Sequence, residues 1–291
     1  MMKAKKLRAL LAGPDMVLAP GAYDGLTARI VEQAGFPAVY MTGAGTSLSR
    51  GFPDFGLLGM SEMVENAGVM ARTVDVPLIS DADTGYGNEL NVTRTVREFE
   101  ARGVAAIHIE DQVSPKRCGH LDGKAIIPQD EFISKIRAAV AARRDPDFVI
   151  IARTDARAVT DFEDAIARTN AAMEAGADVA FVEAVQTEEE LAAVPKRVNG
   201  PCLLNVVPGG KTPKIAMPDA QALGYRLAIL PGILLGAVIV AADQALQTLK
   251  EKGAPGAIPQ GANVADTFRR FGADEWNALR MQFAEAEKAD A

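Results

Sequence analysis

The sequence predicts a (β/α)8 TIM-type barrel with an extra C-terminal helical segment, built as a single domain over residues 1–291. Two observations carry this prediction. The chain contains eight short apolar runs, nearly continuous in Val, Ile and Ala, as is typical of parallel strands covered on both faces. A segment with helical periodicity follows each run, and 291 residues is a usual length for one undivided α/β barrel.

The eight predicted strands follow one another along most of the chain. They cover residues 16–19, 38–42, 78–83, 106–111, 148–154, 179–183, 202–207 and 226–230. An open doubly wound sheet is the alternative fold. That fold carries a Gly-rich fingerprint after its first strand, where this chain has Ala19-Pro20-Gly21-Ala22. A closed barrel is therefore favoured.

Helices are predicted between the strands wherever apolar residues recur at helical spacing, as in 90–102, 130–144 and 163–175. Gly103 and Gly176 directly follow two of them, where a helix C-terminus favours glycine. Beyond the last strand we expect a helix over 232–252. An amphipathic tail follows over 264–288, with several aromatic residues on one face.

Composition and charge exclude several classes of protein. A net charge of -7 lacks the basic footprint that nucleic-acid binding needs. We expect no apolar run to reach the roughly 20 residues that span a bilayer, and the basic N-terminus is followed by too short an apolar patch for a signal peptide. We therefore expect a cytoplasmic protein. Its two cysteines, Cys118 and Cys202, are expected to be free thiols and lack zinc-site spacing.

The barrel prediction locates the active site, because catalytic residues of this fold lie at the C-terminal ends of the strands. Asp81 and Asp83 end the third predicted strand and Glu110 ends the fourth. Two residues apart on a strand, the two aspartates should point to the same side. Three close carboxylates repel unless a cation lies among them, and oxygen ligands favour Mg²⁺, with Mn²⁺ possible. The alternative is ion pairing to Arg153 or Lys116 without metal.

Cys118 lies in the segment Lys116-Arg117-Cys118-Gly119-His120. Cationic neighbours lower the pKa of a thiol, so we predict a functional cysteine with a lowered pKa. The alternative is a small buried apolar residue, which we expect for Cys202. His108 stands in the middle of a predicted strand and is expected to pack or to act indirectly.

These residues resemble the isocitrate lyase and phosphoenolpyruvate mutase superfamily. The resemblance extends from the first helix to about residue 250. Its Lys-Arg-Cys-Gly-His segment marks the carbon–carbon lyase branch, since phosphonopyruvate-processing members lack this cysteine. The matching motifs are Asp81-Ala82-Asp83-Thr84-Gly85-Tyr86-Gly87-Asn88, Ile109-Glu110-Asp111-Gln112, Lys116-Arg117-Cys118-Gly119-His120 and Ile151-Ala152-Arg153-Thr154-Asp155.

The resemblance implies a site that binds Mg²⁺ and a 2-hydroxy or 2-oxo carboxylate. Asp83 would be the main metal contact, with Asp81 and Glu110 beside it. Cys118 would protonate the carbanion and Tyr40 would accept the hydroxyl proton, with Lys116 and Arg153 as further catalytic groups. The substrate would be bound by Thr42, Gly43, Ala44, Asp54, Gly119, His120, Arg153, Glu183, Asn205 and Pro231.

The substrate is suggested by a departure from the isocitrate and methylisocitrate lyases, which carry hydroxyl residues for an extra carboxylate. This chain has Asn205-Val206-Val207-Pro208 and Leu230-Pro231-Gly232 there. We therefore predict a lyase of a 2-alkylmalate, with 2,3-dimethylmalate as the best single substrate, yielding propionate and pyruvate. The alternatives are a 2-methylisocitrate lyase and an oxaloacetate hydrolase. A carbon–phosphorus enzyme or a non-catalytic barrel would belong to a different class.

The resemblance also implies a quaternary structure. Members of the superfamily are usually homotetramers that exchange a C-terminal helix between subunits. Residues 232–291 contain the candidate segments for this exchange.

Overall fold

The computed structural model describes residues 2–256 and 263–289, with only the backbone for the last five of these. Eight parallel strands form a closed barrel in the order β1 to β8, which confirms the predicted fold. The strands are β1 (Val17–Ala22), β2 (Val39–Met41), β3 (Leu78–Asp81), β4 (Ala106–Glu110), β5 (Val149–Thr154), β6 (Val179–Val182), β7 (Cys202–Asn205) and β8 (Leu227–Leu230). All eight predicted strands are therefore present.

Helices surround the barrel, and most of them join consecutive strands. They are α1 (Lys3–Ala12), α2 (Gly25–Gln33), α3 (Gly43–Ser49), α4 (Met60–Thr73), α5 (Glu89–Ala101), α6 (Gln129–Ala142), α7 (Ala156–Val159), α8 (Phe162–Glu174), α9 (Glu188–Arg197) and α10 (Met217–Leu223). Gly103 and Gly176 have φ of 79° and 101° just after α5 and α8. This confirms the two predicted helix ends, because the left-handed conformation favours glycine.

The barrel closes where β1 pairs with β8, with Val17 opposite Leu227 and Pro20 opposite Leu230. Apolar side chains fill its interior, among them the fully buried Ile79, Phe181 and Leu227. A second apolar layer lies between strands and helices. Because the strands are covered on both faces, they are apolar throughout and do not alternate apolar with polar residues.

Helix α1 covers the N-terminal end of the barrel. Its Leu7 is fully buried against strand residues. Arg8 donates to the backbone oxygens of Asp147 and Phe148, just before and at the start of the β5 run, and to Asp178 Oδ1 before β6, at 2.9 Å. Apolar and paired charged groups therefore close the N-terminal end of the barrel. The C-terminal ends of the strands remain available for an active site.

The described chain divides into two compact units, Met1–Gly236 with the barrel and Ala237–Ala291 with helices. Helix α11 (Ile233–Lys252) leaves the first unit, and α12 (Val264–Arg270) and α13 (Ala273–Ala289) belong to the second. The predicted tail helix is thus two helices, broken at Gly272, whose φ is 87°. The single domain over 1–291 and the exchange of 232–291 remain predictions, and residues 257–262 and 290–291 lie outside the described part.

Helix α11 exceeds the length we expected of any apolar segment. Its 20 residues are long and apolar enough, by length and composition alone, to cross a membrane. None of its residues is buried, and Val240 and Leu246 are 65% and 63% exposed. Asp243 interrupts the apolar run in the sequence, whereas the helix continues beyond it with further apolar residues.

Candidate active site

The predicted site residues meet at the C-terminal ends of the strands, around a cavity of about 210 Å³. Three of them, Gly43, Asp83 and Glu110, do not line the cavity but contact residues that do. The predicted residues that line it are Tyr40, Thr42, Ala44, Asp54, Asp81, Lys116, Cys118, Gly119, His120, Arg153, Glu183, Asn205 and Pro231.

Asp81 and Asp83 are close, but not for the reason that their spacing suggested. Strand β3 ends at Asp81, and Asp83 follows with a φ of 46°. The expectation that both lie on one strand was therefore wrong. Instead the chain turns, and the Asp83 N–H donates to Asp81 Oδ1 at 2.9 Å. A side chain on Gly43 would lie 2.3 Å from Asp81 Oδ2, so this close approach requires glycine.

Cations pair with the acids in this structure, as the alternative interpretation had it. Lys116 Nζ lies 3.0 Å from Asp83 Oδ1 and also binds Asp54. Arg153 Nη1 lies 3.0 Å from Glu110 Oε2. Within residues 2–256 and 263–289, no three His, Cys, Asp or Glu side chains converge closely enough to hold a metal ion by themselves. The three carboxylates therefore do not form the expected close cluster, and two of them, Asp83 and Glu110, pair with cations.

The donor atoms nevertheless fit a hard divalent cation. Asp83 Oδ1 and both carboxylate oxygens of Glu110 are buried, and their polar contacts are limited to the ion pairs with Lys116 and Arg153. Burial raises the pKa of Asp83 to about 6, and it raises the pKa of Glu110 well above its ordinary value. A cation beside them would stabilise both anions, and Mg²⁺ needs only one or two direct carboxylates with water completing its shell. Asp83, Glu110 and Asp81 could therefore hold Mg²⁺.

The turn after β2 begins helix α3. Thr42 is its N-cap, and the Thr42 hydroxyl accepts a hydrogen bond from the Gly45 N–H at 3.3 Å. The N–H groups of Gly43 and Ala44 stand in the first turn, where a helix offers no internal acceptor. Thr42 and Ala44 line the cavity, so a carboxylate there could accept from these amides.

Cys118 faces the cavity and is partly exposed, and both cysteines are free thiols as expected. The prediction of a lowered thiol pKa was wrong, since burial raises the pKa of Cys118 above its ordinary 9.0. The cations beside it in sequence face elsewhere. Lys116 pairs with acids, and the Arg117 guanidinium lies over the Phe55 ring, 5.4 Å from its centroid. A raised pKa keeps the thiol protonated, which suits a proton donor.

Tyr40 lies on β2 and is buried, with its hydroxyl 2.8 Å from His108 Nε2. Burial raises the pKa of Tyr40 and lowers the pKa of His108 to about 4, so both are neutral at pH 7. His108 Nε2 also lies 3.5 Å from Asp81 Oδ1. The mid-strand histidine is thus packed, as expected, and it contacts a proposed catalytic group directly.

Glu183 and Asn205 line the side of the cavity next to Arg153. Asn205 Nδ2 donates to Glu183 Oε2 at 3.0 Å, and His120 Nε2 lies 3.3 Å from Glu183 Oε1. Burial acts to raise the pKa of Glu183, but Arg153, His120 and Asn205 overcome it and hold the pKa below its ordinary value. Glu183 therefore stays ionised and orients Arg153.

The remaining wall of the cavity is apolar. Val207 after β7 and Pro231, Gly232 and Leu235 after β8 form it. Leu235 was not among the predicted residues, although it belongs to the apolar run Ile233-Leu234-Leu235. Lys124, whose ammonium donates to Asp155, also escaped prediction because nothing in its sequence context distinguishes it.

Comparison with known proteins agrees with the motifs. The family model described as phosphoenolpyruvate phosphomutase matches residues 7–250. A 2,3-dimethylmalate lyase of Eubacterium barkeri is 49% identical over 232 residues, covering 79% of this chain and 80% of that protein. A 2-methylisocitrate lyase of Aeropyrum pernix is 46% identical over 247 residues, covering 85% and 80%.

Solved structures agree as well. Oxaloacetate acetylhydrolase in complex with 3,3-difluorooxalacetate superposes with a TM-score of 0.94 at 40% identity, covering 97% of each chain. Phosphonopyruvate hydrolase in complex with oxalate and Mg²⁺ gives a TM-score of 0.88 at 32% identity, covering 98% of this chain and 100% of that chain.

Proposed function

This chain belongs to the phosphoenolpyruvate mutase and isocitrate lyase superfamily as a carbon–carbon lyase, and we propose that its substrate is a 2-alkylmalate. The best single substrate is 2,3-dimethylmalate, cleaved to pyruvate and propionate. The observation that carries this choice is that Val207, Pro231 and Leu235, which offer no side-chain hydrogen-bond donor, line the cavity and form its apolar wall.

The wall distinguishes substrates by their number of carboxylates. The two carboxylates of a malate can accept hydrogen bonds from Arg153, from Lys116 and from the backbone amides at the start of α3. A third carboxylate against Val207 and Leu235 would lose its water without gaining a donor. An unpaired charge in such a place costs on the order of several kcal/mol. An alkyl group in the same place is instead stabilised by burial, by roughly 0.8 kcal/mol per methylene.

We propose Mg²⁺ as the cofactor, with Mn²⁺ as a substitute, held by Asp83, Glu110 and Asp81. The support is the buried oxygens of Asp83 and Glu110, whose polar contacts are limited to two ion pairs, and the Mg²⁺ in the phosphonopyruvate hydrolase complex. When bound, the ion supplies positive charge that stabilises the forming 2-oxo acid.

The chain's own residues account for the proton transfers. The C2–C3 bond breaks as the C2 hydroxyl loses its proton to Tyr40, which would act as a tyrosinate that accepts a hydrogen bond from the neutral His108 ring at Nε2, 2.8 Å away. The electron pair of the broken bond stays on C3 as the enolate form of propionate. The Cys118 thiol then protonates C3, which its raised pKa allows because the thiol is protonated at neutral pH. Arg153 orients the carboxylate.

A substrate panel tests the proposal. Purified protein with Mg²⁺ is supplied with 2,3-dimethylmalate, 2-methylisocitrate or oxaloacetate, and pyruvate or oxalate is measured by coupled assay. We expect the highest kcat/KM for 2,3-dimethylmalate. Faster cleavage of 2-methylisocitrate would refute the argument from the apolar wall and would favour the activity of the Aeropyrum relative. Faster release of oxalate would assign an oxaloacetate hydrolase.

We further propose a cytoplasmic homotetramer in which segments of 232–291 are exchanged between subunits. The support is the exposed apolar surface of α11 taken by itself, with Val238, Ile239 and Val240 about half or more exposed. Light scattering after gel filtration in detergent-free buffer tests this. A mass four times that of the chain is expected, and a monomer would contradict it.

A further inference from the structure

Lys124 is a buried charged residue of the cysteine segment, residues 112–127 between β4 and α6, that the proposed reaction does not use. Its ammonium donates to the backbone oxygen of Gly119 and to Asp155 Oδ1, the latter at 3.0 Å. The Lys124 side chain is 2% exposed and that of Asp155 is fully buried. An ammonium buried to this extent is stable only when it is paired, so its two partners help to fix the position of the segment.

The first partner lies next to the thiol. Gly119 follows Cys118 and packs directly on the substrate-binding side of the cavity. A side chain on Gly119 would lie 2.5 Å from Arg153 Nη2 and 2.7 Å from Glu183 Cγ. The hydrogen bond from Lys124 therefore holds this peptide against Arg153 and Glu183.

The second partner is shared with Arg153. Asp155 Oδ2 accepts from Arg153 Nε at 3.0 Å, while Asp155 Oδ1 accepts from Lys124 and from Arg153 Nη2 at 3.3 Å. One carboxylate thus links the cysteine segment to the arginine that would clamp the substrate. Lys116 and His120 also hold the segment, through Asp83 at 3.0 Å and Glu183 at 3.3 Å, but neither contact reaches Asp155. The Gln112 side chain holds only the backbone of Arg117, at 2.9 Å in both directions.

We infer that Lys124 is a positioning residue, which sets the Cys118 thiol against Arg153 by joining the Gly119 carbonyl to Asp155. The inference rests on the proposed lyase function for its effect on turnover. The geometry itself is independent of the substrate. Misplacing a reacting group by about 1 Å can cost about 100-fold in rate, so loss of this link should lower kcat strongly.

The experiment compares Lys124→Met, which keeps the length of the side chain without its charge, with Asp122→Asn. Asp122 lies in the same segment and pairs with Lys211 at 2.6 Å, but its side chain is 92% exposed. Alkylation of Cys118 by iodoacetamide is followed by mass spectrometry in the substrate-free protein, together with kcat and KM on the substrate that the panel identifies. Lys124→Gln, which keeps a donor for Gly119, serves as a second variant.

In Lys124→Met we expect iodoacetamide to alkylate Cys118 at least about tenfold faster than in the unaltered protein. We also expect kcat to fall about 100-fold, with a smaller change in KM. Asp122→Asn should match the unaltered protein in the rate of Cys118 alkylation and in kcat. Unchanged alkylation and kcat in Lys124→Met would overturn the inference, as would an equal effect in Asp122→Asn. Loss of the folded state in both Lys124 variants would assign Lys124 to stability and overturn it too. Faster alkylation in a protein that cleaves no panel substrate would support the positioning and refute the lyase proposal.

Discussion

Gly119→Ala tests how tightly the cysteine segment packs on the site. The added methyl group would lie 2.5 Å from Arg153 Nη2, 2.7 Å from Glu183 Cγ and 2.9 Å from Glu183 Cδ. These distances are below van der Waals contact. Arg153 cannot move away freely, because it is paired to Glu110 and Asp155, each at 3.0 Å. The cysteine segment must therefore move away from the cavity, or Arg153 must lose one of these two ion pairs.

The magnitude follows from the size of the clash. Inserting a methyl group into a filled space costs roughly 1–3 kcal/mol. Since about 1.36 kcal/mol corresponds to tenfold in rate, kcat/KM should fall by about five- to 150-fold if only the closed segment is affected. The melting temperature should change little, because the segment lies outside the barrel core.

The assay is steady-state kinetics on the substrate found by the panel, together with the rate of Cys118 alkylation, which should rise. Gly59→Ala is the matched control. Its added methyl group would meet its nearest atom, Glu62 Oε2, at an ordinary 3.7 Å. An unchanged kcat/KM in Gly119→Ala, or an equal loss in Gly59→Ala, would refute the packing argument.

Four further predictions address the proposed roles. Cys118→Ala should lower kcat by about 10²- to 10⁴-fold, because the carbanion would lose its proton donor. The affinity for oxalate, measured calorimetrically with Mg²⁺, should stay within about threefold. An unaltered kcat would exclude Cys118 as the acid. Because the protonated thiol is the active form and burial raises its pKa, kcat should hold up to pH 9 and fall only above it, while alkylation rises there; a fall of kcat that begins near pH 7 would contradict this. Val207→Thr, nearly equal in shape, adds a hydroxyl to the apolar wall and should raise the kcat/KM ratio of 2-methylisocitrate to 2,3-dimethylmalate, by about tenfold if the hydroxyl reaches the extra carboxylate. Asp83→Asn should weaken Mn²⁺ binding, followed by electron paramagnetic resonance without substrate, by about tenfold or more, and unchanged binding would exclude Asp83 as a ligand.

The sequence determined the barrel and most of the residues around the cavity, though not Leu235. Eight apolar runs separated by helical segments leave few ways to bury every strand on both faces, so the fold follows from periodicity alone. The position of a residue at a strand end then places it at the site, as it does for Glu110, Arg153 and Asn205. Local pattern was sufficient because backbone geometry carries these residues to one end.

Tertiary structure alone decided how these residues interact. Lys116 and Arg117 flank Cys118 in sequence, yet their charges pair with Asp83 or lie over Phe55, and burial raises the thiol pKa instead of lowering it. Lys124 carries no sequence signal, but folding buries it on Asp155. The physical reason is that electrostatic effects depend on distance and desolvation in space, and neither is fixed by neighbours along the chain.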